Sequence, residues 1–109
     1  MRTAYPGRKP LTAIADDMVG DVRSGISKAV VKLARGLTLT LVLKGNVYTL
    51  TCGRREIYPS STELAVVAGA FGLSQASWEA VEFQEWRCWR AEALYLGRKS
   101  GASESANVS

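Results

Sequence analysis

At 109 residues, with 47% hydrophobic and 22% charged side chains, the chain has the size and composition of one ordinary globular domain with its own core. Two cysteines and no histidine argue against a zinc site built within one chain and remove the commonest general base, and no apolar run approaches the roughly 20 residues that cross a bilayer. The net charge of +4 is uneven: residues 1–58 carry ten Lys/Arg against four Asp/Glu, and residues 59–97 carry two against five.

Residues 1–10 hold two prolines, a glycine and three basic residues, and read as a flexible basic arm. The apolar run that follows, Leu11 to Ala15, ends at Asp16-Asp17, so a secretory signal is not expected. Residues 12–34 predict an amphipathic helix. Leu11, Ala15, Met18, Val22, Ile26, Ala29, Val30 and Leu33 recur at spacings of three and four. Asp16, Asp17 and Asp21 lie toward its start and Lys28, Lys32 and Arg35 toward its end, the order a helix dipole favours. Gly36 is a natural stop. Gly20 and Gly25 each cost about 1 kcal/mol against alanine, so this helix can break in the middle.

Leu37 to Cys52 reads as a β-hairpin with Gly45-Asn46 as its two-residue turn, since both residues tolerate the positive φ of primed turns. Counting outward from Lys44 and Val47 pairs Leu43 with Tyr48, Leu41 with Leu50 and Leu39 with Cys52. On the other face Val42 meets Thr49 and Thr40 meets Thr51. One face is apolar and the other mostly threonine, so a one-residue slip would expose the leucines. The hairpin needs the rest of the chain to cover that face.

Gly53 is expected to start a bulge or bend, with Arg54 and Arg55 at the hairpin exit. Ser60 and Glu63 form a capping box for a second helix, on which Leu64, Val67, Ala68 and Phe71 make the buried stripe and Gly72-Leu73 the stop. From Ser74 to Leu96 the Ala, Glu, Leu and Arg content favours a third helix, capped by Ser74 or Ser77. The alternative is a strand within Glu85–Leu96 that joins the hairpin, with Trp86 and Cys88 on one side and Trp89 and Ala91 on the other. Residues 98–109, rich in Ser, Ala and Gly, read as a disordered tail. The expected architecture is α+β, a single domain over residues 11–97: an N-terminal amphipathic helix, an antiparallel hairpin, a short helix and a C-terminal helix, or in its place a third strand on the hairpin.

The chemistry-bearing groups are sparse. Asp17 and Asp21 are one helical turn apart, but charge at a helix N-terminus accounts for them. Glu82 and Glu85 beside Arg87 and Arg90 read as surface ion pairs. Cys52 and Cys88 lie in apolar stretches and read as reduced core thiols. No glycine pattern matches a phosphate-binding loop. The basic groups carry more: Lys28, Lys32 and Arg35 on one helical stripe, with Arg54 and Arg55 at the hairpin exit, form a surface suited to tracking phosphates. Trp86 and Trp89 with Arg87 and Arg90 form an aromatic–basic cluster that either stacks on bases or builds the core. The expectation is therefore a non-enzymatic cytoplasmic binding protein without cofactor, metal or membrane. Its partner would be nucleic acid, held by Lys28, Lys32, Arg35, Arg54 and Arg55 with aromatic contact from Trp86 or Trp89. The alternative is another protein, a second copy of the chain included, met through the hairpin's open edge or the Trp-rich segment.

Overall fold

The computed structural model describes residues 10–73 and 77–96; the proposed arm before Pro10, the tail and a cap at Ser74 lie outside the described residues. The order of elements is α1 (Leu11–Arg23), β1 (Ala29–Lys32), β2 (Thr38–Lys44), β3 (Val47–Arg55), α2 (Ser61–Phe71), β4 (Glu79–Phe83) and β5 (Trp86–Ala93). The fold is α+β. Its five strands form one antiparallel sheet in the order β1-β2-β3-β5-β4.

The β2–β3 hairpin has the register that its alternation demands, with Leu43 opposite Tyr48, Leu41 opposite Leu50 and Leu39 opposite Cys52. Gly45 supplies the positive φ, 59°, that the first central position of a II′ turn requires. Leu39, Leu41, Leu50 and Cys52 are almost wholly removed from solvent. Side chains alternate across the sheet, so β1 adds Ala29 and Val31 to this face and β5 adds Trp89, Ala91 and Ala93. Both helices cover it: α1 contributes Ile14, Ala15, Met18 and Val22, and α2 contributes Leu64, Val67, Ala68 and Phe71 to one continuous core.

Three expectations need correction. The first helix ends at Arg23 rather than near residue 34. Gly25 takes φ 114°, which a helix cannot hold, and the chain leaves it as strand β1. Ala29 and Val31 then bury on the alternation of a strand, and Val30 points the other way. Lys28, Lys32 and Arg35 are consequently on no helical stripe, and Asp21 lies near the end of α1 rather than toward its start. Second, the C-terminal helix is replaced by the hairpin β4–β5. The strand alternative has the correct facing, since Cys88 opposes Gly53 and Trp89 opposes Cys52. Third, Gly53 makes no bulge and pairs in register with Thr38 on one side and Cys88 on the other.

Helix α2 begins and ends as its sequence specifies. The Ser60 hydroxyl accepts from the Glu63 N–H at 3.2 Å, and the Glu63 carboxylate accepts from the Ser60 N–H at 2.9 Å. Gly72 adopts a left-handed conformation, and the Leu73 N–H donates back to the Ala68 carbonyl at 2.7 Å, which closes the last turn.

Gly53 is required for close approach rather than for its backbone angle. A Cβ at this position would overlap Cys88 Sγ, fall 2.9 Å from Cys88 Cβ and lie 3.1 Å from the Arg87 carbonyl oxygen. Gly53→Ala should therefore destabilise the protein by about 1–3 kcal/mol, the usual range for overpacking. Adding Cys88→Ala should restore part of that loss, because the sulfur goes and the Cβ contact stays. Urea unfolding of the two single variants and the double variant measures this coupling.

Candidate functional site

With both helices on one face of the sheet, the other face is uncovered among the described residues. Strand alternation places Val30 and Lys32 of β1 here, with Thr38, Thr40 and Val42 of β2, and Thr49, Thr51 and Gly53 of β3. Strand β5 adds Trp86, Cys88 and Arg90, and β4 adds Glu79, Val81 and Phe83. Val30 and Phe83 are each about half exposed, 52% and 51%. Phe83 and Trp86 are directly opposed and close the β4–β5 hairpin. Beside them is a shallow hollow of about 110 Å³. Gly53 and Cys88 form its floor, Thr38, Thr40 and Thr51 one side, and the two aromatics the other. The space a side chain at Gly53 would take is occupied by Cys88 Sγ, so the floor is a thiol beside bare backbone.

The five basic residues expected to bind nucleic acid fall into two groups. Lys28, Lys32 and Arg35 are exposed along the β1 border of the sheet and in the 3-10 turn Ala34–Gly36 that follows it. Among the described residues they make no side-chain hydrogen bond or ion pair. Arg54 and Arg55 are engaged. Arg54 points to the helix side and grips Glu63 with two parallel hydrogen bonds, 2.9 Å and 2.7 Å, while its Nε donates to the Arg35 carbonyl oxygen at 3.3 Å. It thus joins the end of β3 to the start of α2 and to the turn before β2. Arg55 pairs with Glu85 at the surface, an exposed contact that contributes little to stability and is easily exchanged.

The two tryptophans also separate. Trp89 is on the helix side, where its indole N–H donates to the Pro59 carbonyl oxygen at 3.1 Å and its ring packs at 5.1 Å on Tyr58. The Tyr58 hydroxyl in turn donates to Glu82 at 2.7 Å, which raises its pKa. Trp89 is therefore held inside the fold, and Trp86 is the one on the uncovered face. Glu82 and Glu85 serve as ion-pair partners, for Arg87 at 3.9 Å and for Arg55, while Arg90 pairs with Glu79 at 3.0 Å. Cys52 and Cys88 are free and on opposite faces of the sheet. Burial pushes the Cys52 thiol up to about 12 and raises that of Cys88, so neither is a thiolate nucleophile at neutral pH.

Sequence reasoning missed Phe83 and the threonine hollow, because both depend on β4 and on the pairing of β5 with β3. A larger cavity, about 270 Å³, lies between α1 and α2. Its charged walls are Asp16 and Arg23, and Arg23 already donates to the Tyr48 hydroxyl at 2.6 Å. Among the described residues, no three His, Cys, Asp or Glu side chains gather to hold a metal, and no helix is long and apolar enough to cross a membrane.

The Arg54 guanidinium, aided by the Ser60 N–H, holds the Glu63 carboxyl down at about 2 from its ordinary 4.5. The unfolded chain therefore binds the extra proton first as pH falls. The stability this pair contributes is complete above about pH 4.5 and is lost between there and about pH 2. Glu63→Gln should lower stability at neutral pH by about 1–2 kcal/mol, since the pair is only partly buried, and should flatten the acid limb of the curve. Urea unfolding across pH 2–7 checks both effects. Comparison of the chain with models of protein families, with curated proteins and with solved structures found no match, so the reading of the uncovered face rests on its geometry.

Proposed function

We propose that this protein is a non-enzymatic nucleic-acid-binding domain that tracks phosphates from the β1 border of its uncovered sheet face. The observation that carries this reading is the line of Lys28, Lys32 and Arg35. The three are exposed and unengaged among the described residues, and they border a face that the fold leaves open. Cations with no protein partner are free to replace the counterions of a phosphate chain, and that replacement drives such binding. Arg55 is a secondary contact, since its surface pair with Glu85 can be traded for a phosphate. Arg54 is withdrawn from the set because the Glu63 carboxylate holds two of its N–H groups and neutralises its charge. A protein partner is the second reading, supported by the half-exposed Val30 and Phe83. Both edges of the β2–β3 hairpin are taken, by β1 and β5, so a partner strand would meet the sheet at its β1 or β4 border.

The test is a titration of a fluorescently labelled oligonucleotide at two salt concentrations. Binding should weaken as salt rises. Lys28→Gln and Lys32→Gln should each reduce the log–log salt slope by about 0.7–0.9. Arg54→Gln should leave the slope unchanged while lowering stability. No binding at low salt, with a protein partner recovered on the same face, would instead support the second reading.

A further inference from the structure

We infer that the hollow over Gly53 is a site for an unpaired nucleobase, so that the preferred ligand is a single strand rather than a duplex; this rests on the proposed nucleic-acid reading. The first observation is the cross-strand pair of Phe83 and Trp86 on a face that no described residue covers. In a folded domain a large aromatic normally packs against the core, as Trp89 does here. On the uncovered face the half-exposed Phe83 and the partly exposed Trp86 offer aromatic surface to a ligand, the kind of surface on which bases stack.

The second observation is the shape beside them. Cys88 Sγ occupies the space a Gly53 side chain would take, and the two residues make a low floor between the threonines and the aromatics. Thr40 and Thr51 oppose each other on its far side. A hydroxyl both donates and accepts, so threonines beside the hollow can meet either kind of group on a base edge. The site therefore takes an unpaired base with weak sequence preference. A base inside a duplex offers neither its flat face nor its pairing edge, and a duplex laid on this sheet would meet it with phosphates alone.

The third observation is charge. Strand alternation puts Lys32, Lys44, Arg55 and Arg90 on this face or its rim, against Glu79 and Glu92. Glu79 and the turn residue Glu85 are spent on Arg90 and Arg55. Lys32 and Lys44 remain on the β1–β2 side, opposite the aromatic pair, against Glu92 alone, which leaves this face a net cation for a polyanion. A strand crossing the sheet would thus have its backbone toward the lysines and a base over the hollow.

The experiment compares a labelled 12-residue thymidine oligonucleotide with a 12-base-pair duplex, each titrated with the wild type, Phe83→Ala, Trp86→Ala, Trp86→Phe and Thr40→Val/Thr51→Val. The single strand should bind at least 10-fold more tightly than the duplex. Trp86→Ala should weaken single-strand binding about 5- to 100-fold and leave duplex binding unchanged. Trp86→Phe should retain most of the affinity. Phe83 is half exposed on an edge strand, so Phe83→Ala should keep the fold and still weaken single-strand binding. Equal affinity for both ligands, with Phe83→Ala neutral, would overturn this inference and leave phosphate tracking in place. Failure to bind either ligand at low salt would overturn both. A dimer in light scattering that Phe83→Ala dissociates, with no oligonucleotide bound, would assign the face to a second copy of the chain.

Discussion

The pairing of β2 with β3 sets the two faces of the whole sheet. With Gly45-Asn46 at the turn, the alternation of Leu39, Leu41 and Leu43 with Thr38, Thr40 and Val42 leaves one register in which the leucines, Tyr48, Leu50 and Cys52 share a face. Each neighbouring strand must then join in phase. Strand β1 turns Ala29 and Val31 toward the leucines, and β5 turns Trp89, Ala91 and Ala93 the same way. The helices follow, because this is the apolar surface available for Met18, Val67 and Phe71 to bury against. A slip of one residue would reverse every one of these assignments together.

The same parity decides what is left outside. Two helices on one face leave the other uncovered among the described residues, and alternation places there threonines, valines, a glycine, a cysteine, two aromatics and charges of both signs. Gly53 and Cys88 show how closely the two faces are linked. The glycine makes room for the sulfur of the neighbouring strand, and that exchange both packs the sheet and shapes the hollow above it. Arg54 shows the opposite outcome. It falls on the helix side, so it is drawn into the capping of α2 by Glu63 and ceases to be a surface cation, whereas Arg55, one residue on, faces the uncovered side.

The hairpin and α2 were legible because their signals are local: period-two alternation, a Gly-Asn turn, a Ser–Glu capping box and a terminal glycine. Strand β1 was not. Ile26, Ala29, Val30 and Leu33 have the spacing of a helix face, and only Gly25 and the β-branched Val30-Val31 argued otherwise. The β4–β5 hairpin was hidden by its turn, where Gln84, a poor turn residue, holds a φ of 52°. It was hidden too by Glu and Arg residues that suit a helix but here form the cross-strand pairs Glu79–Arg90 and Glu82–Arg87. Within the candidate site, the exposure of Lys28, Lys32 and Arg35 could be read from the chain, whereas the loss of Arg54 to Glu63 needed the capping box and the hairpin exit to be brought together in space. The separate fates of Trp86 and Trp89 follow from parity alone, once β5 is known to be a strand.

The most direct measurement is a pair of amide and indole proton–nitrogen correlation spectra, with and without a short single-stranded oligonucleotide. Binding at the uncovered face predicts shifts of the Trp86 indole and of the backbone at Lys32, Thr38, Thr40, Thr51 and Phe83, with the Trp89 indole and the amides of α1 and α2 unmoved. Shifts confined to the helices, or a Trp89 indole that moves while Trp86 stays fixed, would contradict it.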